Sequence, residues 1–115
     1  MSRVIALRRD EILPGTLCLL ILRTLARSGE MHGFEIANSI QRISNDVLQV
    51  EEGSLYPALQ RMLVRGWVTA KWGTTVENRR ARYYQLTAAG RKQLAVETSQ
   101  FDRVIGAITR VIEAV

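Results

Sequence analysis

Three observations predict a mainly α, α+β fold. Helical patterns fill the first part of the chain, two aromatic and β-branched segments then flank a basic polar tip, and one long amphipathic pattern runs to the end. At 115 residues, 47% of them hydrophobic, with eight glycines and two prolines, the composition suits one folded core. No repeat or Gly/Ser-rich linker divides it. The order of elements suggests an N-terminal unit over residues 1–86 and a C-terminal helix over 87–115.

After "PGT" at 14–16, Thr16 offers a cap to a first helix whose residues 17–26 are apolar nearly all round, as expected of a central buried helix. "SGEMHG" at 28–33 ends it. The second helix spaces Phe34, Ala37, Ile40 and Ile43 by three, with Ile36 joining, and turns Glu35, Asn38, Gln41 and Arg42 away. In the connector "SNDVLQVEEG", Val47, Leu48 and Val50 are compatible with a short strand.

"GSLYPALQRMLVRG" predicts a third helix beginning at Gly53 or Ser54 and stopped by Gly66, with Leu55, Leu59, Met62 and Leu63 on its apolar face. Pro57 is expected in its first turn, where a missing N–H costs little. The opposite face carries Ser54, Pro57, Gln60, Arg61, Val64 and Arg65, with Tyr56 at its edge.

"WVTAKWG" and "ARYYQL" alternate with a period near two on either side of "TTVENRR", which predicts a β-hairpin with a basic tip. Tyr84 and Leu86, two apart, are expected to face the core, and Arg79 and Arg80 to face outward. Thr87 is the expected cap of the last helix, whose apolar positions Leu94, Phe101, Ile105, Ile108, Ile112 and Val115 follow gaps of 7, 4, 3, 4 and 3. That is a coiled-coil seam with Thr98 as its polar member, and it predicts a partner helix. The alternative is packing on its own domain, since Val104 and Val111 widen the stripe. The N-terminal Val4, Ile5, Leu7, Ile12 and Leu13 are available to the same interface.

Three helices, a two-stranded hairpin and a long final helix describe a winged helix-turn-helix domain with a dimerisation extension. The charge map agrees. Residues 61–92 hold eight basic side chains against Glu77 alone, a net +7, while the rest of the chain sums to −2 within the total of +5. A positive field confined to one region is the footprint expected of a binder of phosphate backbones, with a solvated basic face the alternative.

Other classes fit poorly. The longest apolar stretch, Leu17 to Leu22, is far short of the roughly 20 residues that span a bilayer, and "MSRVIALRRDEIL" carries no export pattern. No membrane association and a cytoplasmic location are expected, with Cys18 a core thiol in a reducing compartment. His32 and the distant Cys18 cannot form a metal or catalytic set, and Glu51 and Glu52 suit the N-terminal dipole of a helix better than acid–base work. The expectation is a protein without enzymatic activity, metal or cofactor. His32 either touches a phosphate or shapes the local turn before the second helix.

"HGFEIANSI" at 32–40, "EEGSLYPALQRMLVRGWV" at 51–68 and "RRARYYQLTAAGRKQL" at 79–94 together resemble the PadR-type transcriptional regulators, in the short form with one C-terminal helix. The resemblance covers nearly the whole chain. It implies a homodimeric repressor that binds an inverted repeat in double-stranded DNA and often answers to a small-molecule effector. Carried over residue by residue, it puts Ser54, Tyr56, Gln60 and Arg61 on the DNA-facing helix. Gln60 is then suited to adenine, and Arg61 to guanine or a phosphate. Thr74, Thr75, Asn78, Arg79, Arg80 and Arg82 become the wing on the sugar-phosphate backbone. For Tyr83 and Tyr84, packing is the expected role and direct DNA contact the alternative. Leu94, Phe101, Ile105, Ile108 and Ile112 become the dimer seam. Some members hold flat aromatic ligands against an aromatic residue of the last helix, and Phe101 stands in a similar stretch. The competing reading is a winged-helix adaptor that docks proteins and never meets DNA.

Overall fold

The computed structural model describes residues 15–115, and the N-terminal apolar positions lie outside them. The elements run α1 (Thr16–Ser28), β1 (Met31–His32), α2 (Gly33–Ile43), α3 (Glu52–Val64), β2 (Val68–Thr74), β3 (Arg80–Leu86) and α4 (Ala88–Glu113). The chain has the expected mainly α, α+β architecture, a winged helix with a long terminal helix. At about 1.5 Å per residue the 26 residues of α4 reach about 39 Å, which accounts for much of the molecule's 56 Å length.

α1 is the hub, touching α2, α3, α4 and β3. Ile21, Leu22 and Leu25 are buried against Ile36 and Ile40 of α2, Leu55, Leu59 and Met62 of α3, and Val68, Tyr84 and Leu86 of the sheet. Leu17 to Leu20 are only half-buried, so α1 is central yet open along its first two turns. Gly15, not Thr16, holds the cap position of α1, and Thr16 is already helical.

α2 buries Gly33, Ile36, Ser39 and Ile40. Phe34, expected on that face, is 70% exposed. At 100° per residue it stands about 160° round the helix from Ile36, and spacings of three drift off any straight stripe. Ile43 ends the helix and is half-exposed. Asn45 and Asp46, both left-handed, then turn the chain, which has no strand at Val47 to Val50. Leu48 and Val50 pack on the core instead, with the Leu48 N–H donating to Ser44 Oγ at 3.0 Å.

α3 begins one to two residues earlier than the glycine and serine signals suggest. Glu51 is its cap, and its carbonyl accepts from the N–H groups of Ser54 and Leu55. Pro57 therefore falls in the second turn, inside the helix, where it removes the bond that would reach the carbonyl of Gly53. Gly66, at φ 77°, ends the helix as expected, with the Trp67 N–H reaching back to the carbonyl of Met62 at 3.0 Å.

The wing contains one more strand than expected. β2 and β3 pair antiparallel from Val68↔Leu86 to Thr74↔Arg80, and the two-residue β1 adds to the other edge of β3 through Met31↔Tyr84 and His32↔Tyr83. The sheet order is β1-β3-β2. Tyr84 and Leu86 are buried, as their period predicts. Tyr83, on the other face, packs its ring over Gly73 and donates its hydroxyl to the carbonyl of Thr74 at 3.3 Å.

A tight joint links α3 to α4. Thr87 Oγ1 donates to the carbonyl of Gly66 at 2.7 Å and accepts from the N–H of Gly90 at 3.0 Å, while the Thr87 N–H donates to the carbonyl of Trp67. One side chain thus caps α4 and ties it to the end of α3.

Candidate nucleic-acid interface

The start of α2, the side of α3 and the wing enclose an open cleft of about 800 Å³. His32, Gly33, Phe34 and Tyr56 line one side, and Trp72, Arg80 and Arg82 the other, with Thr75 and Arg79 toward the tip. The cross-strand register explains the second side. Trp72 pairs with Arg82 and Thr74 with Arg80, so these four residues share the face of the hairpin that carries Tyr84 and Leu86 lower down. Below, that face closes the core; above, it turns cationic.

The tip is a built turn. The Thr75 N–H donates to the carbonyl of Arg79 at 2.8 Å, the Arg79 N–H donates to Thr75 Oγ1 at 3.1 Å, and Asn78 takes φ 62°. Thr75 and Asn78 thereby fix the loop from which the exposed Arg79 and Arg80 project. Asn tolerates the left-handed region better than most residues.

His32 has a local role at the edge of the cleft. Its Nδ1 accepts from the Glu35 N–H at 3.4 Å while the His32 N–H donates to Glu35 Oε1 at 3.0 Å, a capping box for α2. The ring also meets Tyr83 edge-on at 5.3 Å. Tyr56 lies against Gly33 across the helix crossing. Burial, with Glu52 and Tyr84 adding, pushes its phenol above the ordinary range.

The residues expected to meet DNA do not all fall together. Tyr56, Thr75, Arg79, Arg80 and Arg82 gather at the cleft, and Ser54 and Gln60 are exposed on α3. Arg61 and Arg65 instead line a second groove of about 590 Å³ between α1, α3 and α4, beside Cys18, Leu19, Glu97 and Phe101. One residue of helix is 100° of rotation, so Arg61 lies round the helix from Gln60 and toward α4. Cys18 is half-buried there rather than enclosed in the core. Burial first, then the Glu97 carboxylate that accepts its hydrogen bond, push the thiol up to about 12.

The seam residues also divide. Leu94 is buried within its own domain, Phe101 is half-buried in the groove, and Ile105, Ile108 and Ile112 are 36%, 47% and 75% exposed. Trp72 and Phe34 are the cleft residues that sequence reasoning passed over. The alternation that put Tyr84 inward would have put Trp72 beside Arg82 once the hairpin register was drawn.

Among the described residues no cluster of His, Cys, Asp or Glu could hold a metal ion, and no helix is long and apolar enough to cross a membrane. A winged helix-turn-helix with a cationic cleft beside its third helix defines the class.

Residues 21–96 match the model of the transcriptional regulator PadR-like family. The fold is similar to that of a transcriptional regulator from Clostridium thermocellum, with a TM-score of 0.78 at 23% identity over 86% of this chain and 95% of that one. It is also similar to a PadR-like transcriptional regulator from Bacillus cereus, with a TM-score of 0.74 at 23% identity over 90% and 97% of the two chains. An uncharacterized protein of Lysinibacillus sphaericus is 29% identical over 87 residues, 76% of this chain and 79% of its own. The chain belongs to the PadR-like family of transcriptional regulators.

Proposed function

We propose that the chain is a homodimeric DNA-binding repressor whose α3 enters the major groove while the wing grips the adjoining sugar-phosphate backbone. The observation that carries this reading is the cleft, where Arg79, Arg80 and Arg82 face the start of α2 across a gap open to solvent. Ser54, Tyr56 and Gln60 are the groove-facing side chains of α3, with Gln60 suited to adenine. Arg61, at the flank, is suited to a phosphate. Thr74, Thr75 and Asn78 shape the wing, and its arginines supply the charge.

The exposed Ile105, Ile108 and Ile112 support dimerisation through α4, because such a stripe is normally covered. Residues 87–115 are then the dimerisation unit and residues up to 86 the DNA-binding unit. An inverted repeat follows from the two-fold axis, with half-sites about 34 Å apart when they lie one turn apart. For release, a small-molecule effector held in the second groove against Phe101, beside Arg61 and Arg65, would shift the half-site spacing of the dimer.

Charge reversal tests the reading. Arg79→Glu with Arg80→Glu should lower DNA affinity by at least ~100-fold while leaving the dimer intact by sedimentation. Unchanged affinity would remove the wing from the interface. A wild-type protein that binds no duplex, yet captures protein partners through the same cleft, would favour the adaptor reading.

A further inference from the structure

Trp72 stands 58% exposed on the upper face of the wing, beyond the part of the sheet that closes the core. Its neighbours are cations. The Arg80 guanidinium carbon lies 4.5 Å from the indole centroid and that of Arg82 lies 6.0 Å away. The register dictates this arrangement, since Arg82 is directly opposite Trp72 and Arg80 is two residues along the same face of β3.

Two arginines on one strand face repel each other and, as long side chains, sample many rotamers. The ion pairs among the described residues, His32–Glu35 and Lys71–Glu30, include neither of them. An indole attracts a guanidinium to its face through the ring quadrupole. A face-stacked guanidinium keeps its N–H donors in its own plane, free to bind a planar or tetrahedral anion at the edge. All three side chains border the cleft.

We propose that Trp72 is a positioning residue for DNA binding: its indole holds Arg80, and at longer range Arg82, with the guanidinium edges presented to the phosphate backbone. This rests on the DNA-binding reading above. The indole lowers the rotamer freedom that Arg80 must give up on binding, so its contribution passes through the arginine.

A double-mutant cycle on duplex affinity tests it, using Trp72→Leu, Arg80→Ala and the pair, with Trp72→Phe as the conservative variant. Each single truncation should weaken binding by about tenfold and the pair by little more than either one, while Trp72→Phe keeps most of the affinity. Multiplying losses, or Trp72→Leu at wild-type affinity, would overturn the proposal. A second readout uses the free protein. The Arg80 Nε–H resonance should be shifted by the indole ring current in the wild type and return toward the free-arginine position in Trp72→Leu. If the wild type bound no duplex while that shift was present, the DNA reading would fail and the stack would stand. A resonance at the free-arginine position in the wild type would remove the stack itself.

Discussion

The phenol of Tyr56 lies so close over Gly33 that a Cβ added there would meet the hydroxyl oxygen at 2.7 Å and Cε1 at 2.8 Å. The first residue of α2 is therefore fitted to a side chain of α3, and the glycine fixes how closely the two helices approach at the edge of the cleft. Gly33→Ala should displace the ring, whose far end can swing, at a cost of no more than about 1 kcal/mol in urea unfolding. The penalty should largely vanish in a Tyr56→Ala background. Equal penalties in both backgrounds would locate the strain elsewhere.

The joint between α3 and α4 leaves no room for a side chain at Gly90, where a Cβ would run into the carbonyl of Trp67. Backbone cannot swing aside as the end of a side chain can. Gly90→Ala should cost about 2–3 kcal/mol, and Thr87→Val, which loses two hydrogen bonds, about 1–2 kcal/mol. Thermal unfolding checks both, and wild-type midpoints would mean that the joint is looser than it looks.

Cys18 gives a pH dependence with a defined sign. Its folded pKa of about 12 lies above the ordinary value of 9.0, so the folded chain keeps its proton after the unfolded chain has lost it. The stability from this thiol is complete below pH 9 and is lost as pH rises from there toward 12. Cys18→Ala should flatten the fall in stability over pH 9 to 10.5 relative to wild type. Because Glu97 adds to the shift, Glu97→Gln should speed alkylation of Cys18 at a fixed pH near 9. An alkylation rate untouched by that change would place the cause in burial alone.

The exposed seam of α4 yields a separable prediction. Ile108→Lys puts a charge on a position 47% exposed in one chain, so the fold should survive and the proposed dimer should not. Sedimentation velocity at micromolar concentration should show a monomer with wild-type helix content. A persisting dimer would move the interface off this stripe.

Much of this was legible because the local signals were strong. Gly66 after a helical stripe, Thr87 before one, and alternation around "TTVENRR" each have one inexpensive structural answer, and the chain takes it. What was not legible depended on angle and partners. Phe34 matched a spacing of three yet lies opposite the buried face, and Arg61, one residue from Gln60, lines a different groove. β1 is two residues long, too short for any period, and exists because β3 offers an edge beside it. Val47 to Val50 had strand-forming side chains, yet Leu48 and Val50 pack on the core outside any strand.

Binding to duplex DNA from the protein's own upstream region, followed by fluorescence anisotropy against a scrambled duplex across a salt series, tests DNA recognition most directly. Selective binding whose affinity falls steeply with salt, as several released counterions require, is the predicted result. Weak binding with a shallow salt slope that does not distinguish the two duplexes would contradict it.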